Sequence, residues 1–250
     1  MRIVTANPED PNMRKQKFAR LILIQLAPAT LIASLLSGNA LAATLKPVTA
    51  TYTVLRDGKP VGDSTYSLAA NPDGTWTLRS ETHGTSGMAR LAGLDVREES
   101  TFHWRNDSAA GIRYDYRQDA TFKHSSQTID FDQAGGQARV KDSKGNFEYT
   151  IPQGAMDRAS LYLVLGQAAA SGQRDLTVPV AGRDHVEQQH FVAQAAEDIT
   201  VPAGKFKATA FERVDMRGKA RTWYSATSPL PLRIEKTQGD GSTILLELKH

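Results

Sequence analysis

The chain has 250 residues, 30 Lys and Arg against 27 Asp and Glu, and no cysteine. The lack of cysteine excludes disulfides, a thiol nucleophile and lipid attachment at a cysteine. Residues 1–42 hold Arg2, Arg14, Lys15, Lys17 and Arg20 against Glu9 and Asp10, which leaves 25 of each sign in residues 43–250. That part has no formal net charge, and so no global field to attract nucleic acid or anionic lipid.

The first forty residues read as a targeting segment. A basic stretch leads into an apolar run from Leu21 to Leu36, broken by Gln25 and Pro28 and shorter than a spanning helix needs. Ala40 and Ala42 then form an A-x-A cleavage site. Residues 1–42 are therefore expected to be a signal peptide cleaved after Ala42, with an uncleaved anchor as the disfavoured alternative. The mature chain is expected in the periplasm, soluble, without a membrane anchor and not a lipoprotein.

From residue 43 onward the pattern is strand after strand, with period-2 alternation and turn residues between. Val48, Ala50, Tyr52 and Val54 share a face, Asp57-Gly58 turns the chain, and a return strand runs from Val61 to Leu68. After the Asn71–Gly74 turn, Trp76 and Leu78 alternate with polar residues. Residues 84–95 are apolar but broken by glycine, and fit a short helix or a loop. Phe102 and Trp104 resume the strands. Ile112, Tyr114 and Tyr116 alternate with charged neighbours, and a mainly polar run from Ala120 to Asp132 fits an exposed strand. Phe147, Tyr149 and Ile151 alternate inward.

One helix is expected, capped by Asp157, with Leu161, Tyr162, Leu165 and Ala168 or Ala169 on one stripe and an end near Ser171-Gly172. Seven strands follow, at 176–180, 186–192, 199–201, 206–214, 221–225, 232–236 and 244–248. The fold expected is mainly β: a large curved antiparallel sheet or half-open β-barrel with one α-helix packed on or in it. Residues 43–250 read as a single domain.

Catalytic and metal signals are absent from the sequence. His185 and His190 are spaced i, i+5 on a strand, which points them to opposite faces, whereas a zinc-protease helix needs i, i+4. No G-x-S-x-G elbow or phosphate loop occurs. Glu98 and Glu99 are adjacent and diverge on a strand, and Asp115 between Arg113 and Arg117 reads as part of a surface charge ladder. No catalytic residue, metal ligand or cofactor is assigned. A curved sheet around a helix can enclose an apolar cavity. The candidates to line it are Trp76, Phe102, Trp104, Tyr114, Tyr116, Phe147, Tyr149 and Trp223. Met88, Leu91 and Leu94 are candidates for its lid or mouth. The competing reading is that these side chains fill a solid core.

The C-terminal half carries Val201-Pro202-Ala203-Gly204-Lys205-Phe206, then Trp223-Tyr224-Ser225 and Leu230-Pro231-Leu232-Arg233-Ile234. With the Tyr52–Gly58 hairpin and Gly111-Ile112-Arg113-Tyr114, this resembles the exported bacterial family filed as domain of unknown function 3108 (DUF3108), over nearly all of the mature chain. The resemblance implies export, an all-β fold with a helix, and no assigned activity or catalytic residue. The strand and turn part bears a distant fold analogy to the periplasmic lipoprotein carriers. In this context Trp223 and Leu232 read as core anchors.

Three functions stay open at this point. The leading one is a non-enzymatic binder of an apolar or amphipathic, lipid-like ligand. The others are an interaction protein of the cell envelope, using a strand edge or residues 84–95, and a hydrolase with a site assembled from distant residues. Nucleic acid is not expected as a partner.

Overall fold

The structure, a computed structural model, describes residues 45–121 and 123–250. The segment 1–42, read above as a signal peptide, lies outside the described residues.

Among the described residues, fifteen strands form one antiparallel sheet that does not close on itself. Eight of them make a meander: β1 (Val48–Arg56), β2 (Lys59–Ala70), β3 (Trp76–Gly84), β4 (Asp95–Arg105), β5 (Ser108–Ala120), β6 (Lys123–Asp132), β7 (Gln137–Asp142) and β8 (Gly145–Thr150). The others are β9 (Asp175–Ala181), β10 (Val186–Ala193), β11 (Glu197–Val201), β12 (Gly204–Arg213), β13 (Ala220–Tyr224), β14 (Arg233–Thr237) and β15 (Thr243–Leu248). The order across the sheet runs from β8 back to β1, then β15, β14, β13, β12, β10 and β9, with β11 paired to β12. The sheet thus has two arms, joined where β1 pairs with β15 through Tyr52 opposite Leu248 and Val54 opposite Leu246.

The half-apolar alternation decides which face each strand turns inward. Tyr52, Tyr66, Leu78, Phe102, Tyr114, Ile129 and Val140 come from seven successive strands and are all buried in one core cluster. Their polar neighbours face out and pair with one another. Arg113 bonds Asp115 at 2.6 Å and Asp130 at 2.7 Å, which is the expected charge ladder. Such exposed pairs are worth about 0–1 kcal/mol each, so the ladder does little for stability.

Helix α2 (Leu161–Ser171) lies between the two arms in the chain and packs on the inner side of the sheet. Its sequence suggests one apolar stripe, but Leu161, Leu163, Val164, Leu165, Gly166 and Ala168 are all buried. The sheet wraps the helix, so burial extends beyond one stripe. Full burial of a leucine side chain is worth about 1.5–3 kcal/mol, so the helix is a large part of the core. Asp157 sets its entry. The Oδ1 atom accepts the N–H groups of Ala159 and Ser160 at 2.8 and 2.9 Å, and Oδ2 accepts the Ser100 hydroxyl at 2.6 Å. Gly172, at φ 75°, ends the helix in the left-handed conformation, and Gln173 N–H returns to Ala168 O at 2.9 Å.

Gly166 explains how close the helix comes to the wall. A Cβ on it would lie 2.4 Å from the Pro229 carbonyl oxygen. Two tyrosines tie the same region: Tyr224 donates to the Tyr162 carbonyl and Tyr52 to the Pro231 carbonyl, both at 2.8 Å.

The two free edges of the sheet, β8 and β9, do not pair with each other. Pro179 sits in β9, where an edge strand tolerates it. Residue Met156 covers that edge: its N–H donates to Pro179 O at 3.0 Å, and its carbonyl accepts from Ala181 N–H at 2.8 Å. Tyr149 on β8 reaches across to donate to the Gly182 carbonyl at 2.8 Å. Arg183 meets Asp142 at 3.4 Å. The open seam is therefore latched by one backbone bridge and two side chains.

A second, smaller cluster lies on the other face of the C-terminal arm. Ile199, Val201, Ala208, Ala210, Trp223 and Leu232 form it. The Val201-Pro202-Ala203-Gly204 turn folds β11 back along β12, with Gly204 at φ 136°. Trp223 alternates with the inward Thr222 and Tyr224 and so points to the outer face. Its indole N–H donates to Glu197 at 2.7 Å.

Candidate functional site

A cavity of about 480 Å³ lies between α2 and the strands on both sides of the seam. That volume falls within the range of small-ligand sites, about 300–1,000 Å³. Its buried lining is mainly apolar, from Leu161 and Leu165 of α2, Val180 of β9, Phe191 of β10 and Ile234 of β14, with Gln189 and Thr222 as buried polar members. Arg158, Arg183, Arg213 and Lys236 line the cavity together with Asp142, Glu187 and Glu235.

Arg158 is placed by the turn that Asp157 caps. Its guanidinium pairs with Glu98 of β4 and stacks 4.5 Å above the ring of Tyr116 and 5.6 Å from that of Tyr114. A cation over an aromatic face gains about 0.5–2 kcal/mol. Glu98 also accepts the Tyr114 hydroxyl at 3.1 Å. Burial works against the charge of Arg158, but Glu98 beside it holds the guanidinium protonated. Arg213 is fixed from two sides, by Asp215 and Glu187, each at 2.9 Å. The hydrogen bond from Arg213 depresses the Asp215 carboxyl to about 2.

Deeper in, tyrosines form a chain of edge contacts. Tyr52 and Tyr66 stand 5.3 Å apart and Tyr66 and Tyr162 6.2 Å apart, both near perpendicular. Burial raises the phenol of Tyr162 to about 12, so these groups stay neutral at any physiological pH. Asp157, Ser100 and Ser160 make a separate buried cluster, all three at 0 % exposure. Both carboxylate oxygens of Asp157 are occupied by Ser100, Ser160 and two backbone N–H groups, and no histidine reaches the cluster. Four of the six histidines pair with aspartates elsewhere on accessible surface: His83 with Asp95, His124 with Asp119, His185 with Asp184 and His190 with Asp175.

Of the aromatics expected to line a cavity, Tyr116 does so. Phe102 and Tyr114 are wholly buried in the main core, with Trp76, Trp104, Phe147 and Tyr149 packed against it. Trp223 is buried in the second cluster. The segment 84–95 forms a short helix, α1 (Gly87–Leu91), with Met88 77 % and Leu91 78 % exposed and Leu94 half-buried. It is tied down at both ends, by Thr85 N–H to Val61 O at 3.0 Å and by Thr121 N–H to Ala92 O at 2.8 Å. None of its residues lines the cavity. What sequence reasoning missed is the charged wall: Arg158, Arg183, Arg213 and Lys236 come from two loops and two strands spread over almost eighty residues. The one local signal was a charged residue directly after a capping aspartate, Arg158 after Asp157.

The fold and the motifs now meet a family. The profile described as "Protein of unknown function (DUF3108)" matches residues 48–249. The chain belongs to the DUF3108 family. The sheet of this DUF3108 chain is similar to a crystal structure titled a beta-barrel-like protein of domain of unknown function DUF1849 from Brucella abortus. The two share 12 % identity at a TM-score of 0.54, over 82 % of this chain and 96 % of that one. At that identity the likeness establishes the barrel-like fold alone. No curated protein matches the DUF3108 chain.

Proposed function

We propose that this protein is an exported, non-enzymatic binder of an apolar or amphipathic ligand, taken up in the cavity beside α2. The observation that carries the reading is that buried, mainly apolar side chains and exposed charged ones line the same cavity. A site with a few placed polar groups around an apolar surface suits a molecule with a tail and a head. The signal-like segment 1–42 supports export, and places the protein in the periplasm in this reading. The test is native mass spectrometry of protein isolated from that compartment without detergent, with organic extraction of what it carries. A bound amphiphile of defined mass is expected. A bare protein mass, together with no uptake of an added alkyl amphiphile, would sink the reading.

A second reading has one observation in its favour. Met88 and Leu91 are large apolar side chains standing almost free on α1. In an envelope-interaction protein they would be the anchor for a protein partner. Crosslinking in cells with a photoreactive residue at position 88 tests this; a defined adduct lost on Leu91→Ser is the expected result, and no adduct removes it.

A further inference from the structure

Every carboxylate that lines the cavity already faces a cation. Asp142 meets Arg183 at 3.4 Å, Glu187 holds Arg213 at 2.9 Å, and Glu235 holds Lys219 at 3.1 Å. The remaining guanidinium, Arg158, is engaged by Glu98, and Arg213 also meets Asp215. Lys236 is the exception. Among the described residues its ammonium forms neither a salt bridge nor a hydrogen bond. It stands on β14 two residues beyond Ile234, and both line the cavity. Ile234 is buried, whereas Lys236 is solvent-accessible.

Lys236 is exposed at the rim of the cavity, which Arg158 and Arg213 also line, so an anion entering there can reach it. The enclosing protein works against its charge, as do the nearby Arg158 and Arg213. Glu187 and Glu98 pull the other way, and the net effect lowers its pKa. An ammonium held near two guanidinium groups in a concave site gains most from an incoming anion, because local repulsion is relieved and a charge-assisted hydrogen bond forms.

We propose that the cavity selects amphiphiles with an anionic headgroup, a phosphate or carboxylate, bound by Lys236, with the tail over Leu161, Leu165 and Phe191. This rests on reading the cavity as an amphiphile site, and it adds the charge of the head.

The test compares three probes by titration calorimetry below their micellar concentrations: dodecyl phosphate, dodecyl maltoside and inorganic phosphate. Dodecyl phosphate is expected to bind about tenfold or more tightly than dodecyl maltoside, which has the same tail and an uncharged head. The Lys236→Gln variant is expected to erase that difference, by weakening dodecyl phosphate alone, with its unfolding midpoint unchanged. Lys236→Arg is expected to retain it. Equal affinity for the two alkyl probes overturns the headgroup selection and leaves the amphiphile reading standing. No binding of either overturns both. Inorganic phosphate binding as tightly as dodecyl phosphate overturns the proposal in favour of a bare anion site.

Discussion

The Ser100 hydroxyl donates to the Asp157 carboxylate across 2.6 Å, with both residues wholly shielded from water. This contact ties the middle of β4 to the turn that launches α2, so one buried acid links the wall of the barrel to the helix inside it. Losing a cap costs about 1 kcal/mol, and orphaning a buried partner about 1–3 kcal/mol more. Asp157→Ala is therefore expected to lower stability by about 2–4 kcal/mol in urea unfolding, and Asp157→Asn by less, since the amide oxygen still caps.

The same acid gives a pH signature. Burial raises the Asp157 pKa in the folded state, against the pull of its hydrogen bonds to Ser100 and Ser160. Its stabilising contribution is then fullest below the ordinary aspartate range and declines as pH rises through the folded pKa. The stability advantage of the natural protein over Asp157→Asn should shrink between pH 4 and pH 7. An advantage that grows over that interval would contradict the assignment.

Asp215 behaves in the opposite sense. The hydrogen bond from Arg213 holds its pKa at about 2 in the folded state. Its contribution is present above the unfolded aspartate value and disappears as pH falls toward 2. Urea midpoints of the natural protein and Asp215→Asn are expected to differ at pH 5 and converge near pH 2. Because Arg213 lines the cavity, the variant should also loosen one wall of the site, seen as weaker binding of an anionic alkyl probe.

Gly166 tests the packing of the inner helix. An added methyl group meets the backbone oxygen of Pro229, which cannot rotate away as a side chain could. Gly166→Ala normally favours a helix by about 1 kcal/mol. Here it is expected to destabilise by about 1–3 kcal/mol, the cost of overpacking. Thermal unfolding decides between the two signs.

The seam can be weakened without touching the core. Tyr149→Phe removes one hydrogen bond from β8 to Gly182, and Arg183→Gln one ion pair from the loop after β9 to Asp142 at the end of β7. At about 1 kcal/mol for the hydrogen bond, opening should become roughly fivefold more frequent. Hydrogen exchange at the Met156 and Ala181 amides, which form the bridge, is the readout. Amides in β1 to β4 should keep their protection.

The strands are legible because burial on one face leaves a period of two in the sequence, and turns such as Asp57-Gly58 and Val201–Gly204 mark their ends. The helix is legible, and its end falls at Gly172 as expected; its start does not, because Asp157 caps the turn ahead of it and Ser160 is the N-cap. Orientation is less so. Trp223 alternates as an inward aromatic would, yet the β11 flap provides a second apolar layer on the outer face, and alternation alone cannot tell two buried faces apart. Leu163 and Val164 lie outside the expected stripe because a wrapped helix needs no polar side. The cavity wall is invisible for another reason. Arg158, Arg183, Arg213 and Lys236 meet only because the sheet curls β7 toward β9, and each is an ordinary surface-type residue in its own segment.

The strand order also constrains assembly. β1 lies next to β15, so the junction between the two arms pairs residues almost two hundred positions apart, such as Tyr52 with Leu248. During synthesis the N-terminal meander can form from local hairpins alone, but it must keep the edge of β1 exposed until β15 has been made. Contacts of such sequence separation are slow to form and leave the nascent half prone to aberrant pairing. Those six residues, Thr243–Leu248, therefore act as the closing segment of the domain, and a chain truncated before them would present two unjoined half-sheets to a chaperone rather than a slightly destabilised barrel.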